Sequence, residues 1–223
     1  MIDSNIKVGL IVLCRFNSKR FAGKILKTIK NKPVLQYIIE RLEQSKYAGN
    51  IIVATSTETD DEPIIEFCEQ NEINYFRGSK ANVASRILNC AKHYSFNYFV
   101  RINGDNVFTD AKLIDPLVKL AIEGKYDFVS NVKNRTFPVG MSVEVLKTTF
   151  YNKIIDKFTS ESHYEHVTKF LYETEDLTAS TYYYFNKSSQ NEKLPKLALD
   201  EELDFKRINL IFQLMSKDHR KYD

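Results

Sequence analysis

The sequence predicts an α/β fold in which a mostly parallel β-sheet carries helices on both faces. Two observations support this class: apolar runs alternate with amphipathic stretches through about the first 130 residues, and the apolar runs are typical of buried parallel strands. Because parallel strands need right-handed crossovers, the intervening helices are expected to cover both faces. With 223 residues and no evident linker, the chain is expected to form one domain, residues 1–223.

The individual elements follow from the same periodicities: apolar runs mark strands, and an apolar repeat every three to four residues marks helices. Thr59 and Glu62 have the spacing of a capping box, which predicts the start of the second helix. Strands are predicted at residues 8–13, 51–54, 73–76, 98–102, 128–132, 142–146, 181–185 and 197–199. Helices are predicted at residues 34–42, 59–68, 83–94, 113–121, 150–158, 164–172 and 203–215, and a polar loop at 186–193.

The regular alternation ends near residue 132, and residues 133–185 are predicted to be an inserted arm, lid or dimer interface. This stretch is rich in aromatic side chains, namely Phe137, Phe150, Phe158, Tyr182, Tyr183 and Tyr184. Exposed aromatic patches usually mark interfaces, so we expect this segment to contribute to a homodimer. The alternative is that these residues form an ordinary aromatic core.

Composition excludes several classes of function. The net charge is only +3, from 32 basic and 29 acidic residues, so the chain has no strong overall field for nucleic acid. Cys14, Cys68 and Cys90 are odd in number and lack a C-x-x-C spacing, which argues against a disulfide framework or a zinc cluster. No apolar run approaches the roughly 20 residues needed to span a bilayer. We therefore expect a cytoplasmic protein that binds neither nucleic acid nor membrane.

A loop rich in cations follows the first predicted strand. It carries Arg15, Ser18, Arg20 and Lys24, and Gly23 permits close approach of its backbone. Open α/β sheets bind ligands at the carboxyl ends of their strands, and fixed cations with a hydroxyl group suit a triphosphate. The loop contains neither G-x-x-x-x-G-K-[ST] nor G-x-G-x-x-G, so side chains rather than glycine amides are expected to hold the phosphates. The alternative is that these basic side chains are merely solvated.

Two aspartates are candidate ligands for a hard cation. Asp105 follows the predicted strand 98–102, and Asp200 follows the predicted strand 197–199. Mg²⁺ prefers one or two carboxylates together with phosphate oxygens, which this edge of the sheet can supply. Aspartate is also common in turns and at helix N-caps, so a turn at Asp105 and a cap at Asp200 are the alternatives.

Several short motifs occur along the chain in a fixed order. They are Arg15-x-x-Ser18-x-Arg20-x-x-Gly23-Lys24, Phe76-Arg-Gly-Ser79, Arg101-Ile-Asn-Gly-Asp105, Pro138-Val-Gly-Met-Ser-Val-Glu-Val145, Glu165-His-Val-Thr168 and Leu199-Asp200. The ordered set covers nearly the whole chain and resembles the cytidylyltransferase family that includes CMP-sialic acid and CMP-3-deoxyoctulosonate synthetases. It is most similar to the branch named after spore-coat polysaccharide biosynthesis proteins.

The resemblance implies a Rossmann-like fold of the nucleotide-diphospho-sugar transferase type and a role for each matching residue. Asp105 and Asp200 are implied to hold Mg²⁺, and Glu144 and His166 to bind the acceptor. The implied catalytic residues are Arg15, Arg20, Lys24 and Asp105. The implied nucleotide-binding residues are Cys14, Arg15, Ser18, Arg20, Lys24, Arg77, Ser79, Arg86, Asn103 and Asp105.

The implied activity is transfer of CMP from CTP to an acidic sugar or related acceptor, with release of pyrophosphate, for surface polysaccharide or glycan biosynthesis. The alternatives are a nucleotidyltransferase with another nucleotide or a phosphorylated acceptor, and a catalytically silent nucleotide-binding homologue. A glycosyltransferase is disfavoured, because Asn103-Gly-Asp105 has one acid where an Asp-x-Asp motif has two.

The chain departs from the pattern of that branch at three places. Ala22 stands where Pro is usual, Asn106-Val107 where Cys-Pro is usual, and Ser142 where Asp is usual. The missing carboxylate at Ser142 keeps open a different acceptor or a weakened enzyme. His163 and His166 have the spacing of a zinc-binding pair, but the sequence offers no evident third ligand.

Overall fold

The computed structural model describes residues 5–174, 180–189 and 194–222, and its core is a seven-stranded sheet. The strands of this sheet are β1 (Val8–Leu13), β4 (Ile51–Ser56), β5 (Tyr75–Gly78), β6 (Tyr98–Asn103), β7 (Phe128–Ser130), β8 (Glu144–Lys147) and β9 (Thr181–Tyr183). Their order across the sheet is β5-β4-β1-β6-β8-β7-β9. Only β8 runs against the others within this sheet, so the predicted mostly parallel α/β fold is confirmed.

Helices cover both faces of the sheet, as predicted. They are α1 (Val34–Leu42), α2 (Glu62–Gln70), α3 (Val83–His93), α4 (Ala111–Glu123), α5 (Thr148–Ile154), α6 (Glu161–Glu165), α7 (Lys169–Glu173) and α8 (Glu202–Leu214). A small hairpin of β2 (Thr28–Ile29) and β3 (Lys32–Pro33) precedes α1 and was not predicted. None of the described helices is both long and apolar enough to cross a membrane.

The two faces form two separate cores because successive residues of a strand point to opposite sides. On β1, Leu10 and Val12 pack in a cluster with α1, α4 and α8, whereas Ile11 and Leu13 pack in a cluster with α3, α5 and α7. The central strand is therefore apolar on both sides, which explains its continuous hydrophobic sequence.

The register of β1 and β6 places two loops side by side. Leu13 is the partner of Asn103, so both strands end at the same level of the sheet. The amide of Gly104 donates a hydrogen bond to the carbonyl of Leu13 at 2.8 Å. A Cβ atom on residue 104 would lie 2.7 Å from the Cβ of Cys14, which leaves room only for glycine. The loops that begin at Cys14 and Gly104 are thus held in contact where they leave the sheet.

Strand β8 comes from the segment predicted to be an insertion, yet it lies inside the sheet between β6 and β7. The helices that follow it also build the core, because Tyr151 and Phe158 are buried among its apolar side chains. Among the described aromatic residues of the segment, Tyr182 and Phe185 are exposed, with 39% and 36% of their surfaces accessible. Residues 175–179 of the segment and 190–193 of the predicted polar loop lie outside the described residues. A homodimer built on this segment stays a prediction.

Several predicted elements are shifted or shortened by a few residues, and two differ more strongly from the observed structure. The helix predicted at 164–172 is two short helices, because the backbone leaves helical geometry at His166 and turns Val167 into the core. The strand predicted at 197–199 is not formed. Ala198 and Leu199 are buried there, but the amide of Leu199 bonds to the carbonyl of Asp105 instead of joining the sheet.

The predicted capping box of Thr59 and Glu62 was also wrong, because Thr59 begins a 3₁₀ turn (Thr59–Asp61) and the N-cap of α2 is Asp61, whose carboxylate forms no cap hydrogen bond. Asp61 is buried and accepts hydrogen bonds from the amides of Phe16 and Ser56, at 2.6 and 3.0 Å, and from the Ser56 hydroxyl. It thereby ties the loop after β1 to the end of β4. Burial raises the pKa of Asp61, but these hydrogen bonds outweigh burial and hold it below its usual value.

We predict that Asp61→Ala lowers the free energy of unfolding by about 2–4 kcal/mol, because it removes bonds to a charged acceptor and leaves the Phe16 amide unpaired. Urea denaturation at neutral pH measures this loss. The matched control is Asp60→Ala, since Asp60 is the exposed neighbouring residue and is expected to cost less than about 0.5 kcal/mol. Equal losses for the two variants would contradict the assigned role of Asp61.

The same residue predicts a pH dependence. A carboxyl whose folded-state pKa is lowered stabilises the fold above its unfolded pKa, which is about 3.9, and this contribution is lost as pH falls through the folded value. The difference in stability between wild type and Asp61→Asn should therefore be constant above about pH 5 and shrink below about pH 4. A difference that stays constant down to pH 3 would argue against a charged Asp61.

Candidate active site

A cavity of about 470 Å³ opens at the carboxyl ends of β1 and β6. It lies where the cation-rich loop meets the loop of Asp105, as the parallel register requires. The predicted site residues that line it are Cys14, Arg15, Ser18, Arg20, Lys24, Arg86, Asn103, Asp105 and His166. These residues come from four distant parts of the chain, and the fold brings them together at one edge of the sheet.

The cation-rich loop has a defined conformation. Gly23 adopts a left-handed backbone with φ of 68°, and its amide donates to the carbonyl of Phe16 at 2.8 Å. Phe16 is in turn held by Asp61, so the loop closes on itself before the short 3₁₀ turn Lys24–Leu26 begins. This closure directs Arg15, Ser18, Arg20 and Lys24 into the same cavity.

Lys24 is the most deeply set of the loop cations. Its Nζ donates to the carbonyl of Leu199 at 2.5 Å. Burial lowers the pKa of Lys24, and the nearby carboxylates of Asp105 and Asp200 oppose that effect. A poorly solvated ammonium group gains much from an anionic ligand, because the ligand replaces the water that burial has removed.

Asp105 and Asp200 form the acidic side of the site. Burial raises the pKa of Asp105; Lys24 lowers it, and the Asp200 carboxylate raises it further. The two loops that carry these acids are joined by the hydrogen bond from the Leu199 amide to the carbonyl of Asp105, at 2.9 Å. Two oxygen ligands that repel each other in this way form a donor set that suits a hard divalent cation.

Asp200 is not the N-cap of α8. The cap is Glu201, which forms a reciprocal capping box with Asp204. The carboxylate of Asp200 instead contacts two cations, Arg20 at 2.6 Å through Oδ1 and Lys196 at 2.9 Å through Oδ2. Its side chain is therefore directed towards the cation-rich loop, although Asp200 itself does not line the cavity.

Histidine ligation of a metal finds no support in the described residues, which contain no cluster of three or more His, Cys, Asp or Glu side chains suited to a metal ion. His163 is buried against Phe158 and Phe170, and its Nε2 lies 3.0 Å from a carboxylate oxygen of Glu173. His166 lines the cavity instead. The break between α6 and α7 thus separates the environments of the two histidines.

Of the predicted nucleotide-binding residues Arg77, Ser79 and Arg86, only Arg86 reaches the cavity. Arg86 lies in its wall, almost fully buried, with Nε lacking a hydrogen-bond partner among the described residues. Burial lowers the pKa of Arg86. Arg77 and Ser79 do not line the cavity: Arg77 pairs with Glu62 at 2.7 Å, and the Ser79 hydroxyl accepts from the amide of Asn82 at 3.0 Å. Both residues support the end of β5 instead.

A second cavity of about 520 Å³ adjoins the first, and Arg101, Asn103 and His166 line both. The predicted acceptor residue Glu144 belongs to this second cavity, as does Ser142. Glu144 is almost fully buried, because it forms an ion pair with Arg101 and accepts a hydrogen bond from Tyr172 at 2.6 Å.

No role for Arg101 or Tyr172 was predicted from the sequence. A signal for Arg101 was available, since it is the one charged residue in the otherwise apolar and amide-ended strand Tyr98–Asn103. Tyr172 gave no such signal, because its partner Glu144 is 28 residues away in the sequence. Together the two cavities and the adjoining Asp200 offer cations and a hydroxyl for a polyanion, two carboxylates for a hard cation, and space for a second molecule.

Comparison with known proteins agrees with this geometry. The sequence pattern of a family described as cytidylyltransferase matches residues 10–213. The uncharacterized protein MJ1063 of Methanocaldococcus jannaschii is 32% identical over 219 residues, covering 97% of this chain and 88% of that protein. The spore coat polysaccharide biosynthesis protein SpsF of Bacillus subtilis is 24% identical over 215 residues, covering 91% and 85%.

A solved structure gives the same result at the level of the fold. A cytidylyltransferase from Leptospira borgpetersenii superposes with a TM-score of 0.90 at 27% identity, covering 98% of this chain and 91% of that one. The family match and these similarities extend over nearly the whole chain, and they confirm the resemblance inferred from the ordered motifs. The chain therefore belongs to the cytidylyltransferase family, a group of nucleotidyltransferases.

Proposed function

We propose that the protein transfers the cytidylyl group of CTP to a hydroxyl oxygen of an acidic sugar or related acceptor, releases pyrophosphate, and serves surface polysaccharide or glycan biosynthesis. Family membership supports the nucleotide and the class of transfer. The observation that carries the proposal is the joined pair of cavities, one lined by the cations of the loop after β1 and the other sharing a wall with it. Such a transfer needs two ligands that meet at one phosphorus atom.

The triphosphate occupies the first cavity in this proposal. Arg15, Arg20 and Lys24 face the β- and γ-phosphates, where negative charge grows as pyrophosphate departs. Arg20 exchanges its contact with Asp200, and Lys24 its contact with the Leu199 carbonyl, for phosphate oxygens. Positioning and electrostatic stabilisation of this kind supply most of what a protein contributes to phosphoryl chemistry.

The reaction needs no nucleophilic side chain. The acceptor oxygen bonds to the α-phosphorus while the bond from that phosphorus to the bridging oxygen breaks, and pyrophosphate leaves with the electron pair. The acceptor hydroxyl loses its proton to solvent. Burial raises the pKa of the Cys14 thiol, so Cys14 stays protonated and lines the cavity as a small apolar group.

The donor set of Asp105 and Asp200 suits Mg²⁺. When bound, the ion would neutralise the charge that collects between the triphosphate and the two carboxylates. Lys196 contacts Oδ2 of Asp200 and leaves Oδ1 to Arg20, the residue that moves to the phosphates in this proposal. The Nζ of Lys196 also forms an ion pair with Oδ2 of Asp204 at 2.8 Å, which holds the Lys196 side chain in place.

The acceptor occupies the second cavity. His166 and Ser142 line it, and Arg135 adds positive charge that suits an acidic acceptor. Lys169 also lines it but is paired with Glu173 at 3.5 Å. Glu144 lies behind Arg101 and is almost fully buried, so its part is to hold Arg101 rather than to touch the acceptor.

A pyrophosphate-release assay with each of the four ribonucleoside triphosphates and a panel of acidic sugars tests the proposal. We expect release with CTP and one class of acidic acceptor. Release with another nucleotide or with a sugar phosphate would identify the alternative transferase. Tight binding of CTP without release for any acceptor would identify a silent homologue.

We predict that Arg20→Ala and Lys24→Met each weaken CTP binding about tenfold to a hundredfold, because each removes a charge-assisted contact to phosphate. Isothermal titration with CTP measures the effect. Lys92→Met is the matched control, since Lys92 is an exposed cation of α3 that does not line the cavity and should leave affinity unchanged. Unaltered titrations for both loop variants would overturn the assignment of the loop.

We also predict that pyrophosphate release depends strictly on Mg²⁺ and that Asp105→Asn abolishes it, with Asp200→Asn nearly as damaging. The amide keeps the shape of the side chain but loses the charge that holds a hard cation. Glu202→Gln removes a nearby exposed carboxylate of α8 and should have no effect. A wild-type rate for Asp200→Asn at limiting Mg²⁺ would restrict the role of Asp200 to its ion pairs with Arg20 and Lys196.

A further inference from the structure

Arg101 lies in the wall between the two cavities. It shares that position with Asn103 and His166, and its side chain is on the same face of β6 as that of Asn103. The pKa of Arg101 is raised: burial lowers it, but the adjacent Glu144 carboxylate more than compensates. Arg101 is therefore a permanent cation at the junction of the two spaces.

The guanidinium group of Arg101 is held in a fixed orientation. Its Nη1 donates to Oε2 of Glu144, which is also its direct cross-strand partner on β8. The other carboxylate oxygen of Glu144 accepts from the Tyr172 hydroxyl at 2.6 Å, and that hydroxyl lies 2.6 Å from the Ser130 hydroxyl. A chain of hydrogen bonds through four elements, β6, β8, α7 and β7, thus holds the guanidinium group in place.

A purely structural role leaves two features unexplained. A buried ion pair that only joined two strands would be replaceable by apolar side chains at little or no cost in stability. The Nε of Arg101 is also buried without a hydrogen-bond partner among the described residues, although such donors are normally satisfied. The Arg101 side chain nevertheless keeps 17% of its surface exposed where it lines the two cavities, and a fixed guanidinium group in that position indicates a ligand atom.

We propose that Arg101 is a catalytic residue that donates hydrogen bonds to a non-bridging oxygen of the α-phosphate, and that Glu144 and Tyr172 are the residues that position it. This inference rests on the proposed function, because the α-phosphorus is the atom at which nucleotide and acceptor meet. The cations of the loop after β1 act on the leaving pyrophosphate, whereas Arg101 acts on the group that is transferred.

The test distinguishes this catalytic role from that of an ion pair that only joins β6 to β8. The double variant Arg101→Met/Glu144→Leu replaces the ion pair by apolar side chains, keeps the net charge and is expected to fold. Its matched control is Lys147→Met/Asp127→Asn, which removes the ion pair at the opposite end of β8. Arg101→Lys, which leaves Glu144 paired with a cation, is the second variant should the apolar pair fail to fold.

The readout is the affinity for cytidine, CMP and CTP, measured by titration calorimetry, which needs no acceptor. In wild type and the control, CMP should bind more tightly than cytidine because of its single phosphate. In Arg101→Met/Glu144→Leu this preference should fall about tenfold or more, with the affinity for cytidine unchanged. Arg101→Lys should lose part of the preference, because an ammonium group cannot reproduce the guanidinium geometry.

Three results would overturn the proposal. An unchanged preference for CMP over cytidine would assign Arg101 to the architecture of the sheet. An unchanged preference combined with a raised KM for the acceptor would assign it to the acceptor instead. Failure of wild type to bind CTP at all would refute the proposed function as well, and so differs from the first two results, in which CTP still binds.

Discussion

The side-by-side ending of β1 and β6 is the constraint on which the site depends. Leu13 and Asn103 are partners in the register, and the close approach of Gly104 to Cys14 joins the loops that follow. One loop carries the cations and the other carries Asp105. A shift of the register by one residue would turn the side chains of β6 to the opposite face of the sheet and separate the two charge types.

The same geometry places charged groups at this edge of the sheet where they are only partly solvated. Burial lowers the pKa of Lys24 and raises that of Asp105, so both groups are less favourably charged than they would be in water. Lys24 contacts the Leu199 carbonyl, and the charges of Lys24 and Asp105 attract each other. These interactions replace the lost hydration only in part. Keeping these charges partly desolvated lowers the stability of the fold, and strongly perturbed pKa values of this kind are common at functional sites.

The sequence predicted the main strands and the loop residues because they depend on local patterns. Apolar runs identify β1 and β6 whatever their neighbours are, and a cation-rich loop after a strand is visible without a structure. Contacts across long separations were not predictable: Arg20 meets Asp200 across 180 residues, and nothing in the sequence places β8 between β6 and β7. The break in the predicted helix at His166 was missed for a related reason, since burial of Val167 overrides the helical repeat.

The position of β8 in the chain also determines the order in which parts of the site can form while the chain is being synthesised. Strands β5, β4, β1 and β6 are all complete by residue 103, so the loop cations and their supporting sheet can form early. Strand β7 has both of its described neighbours, β8 and β9, still to come when it leaves the ribosome. Glu144 then arrives with β8, and Asp200 later still. A growing chain therefore has the loop cations well before it has the second acidic side chain, and the unpaired edges of β7 are prone to aggregation during that interval.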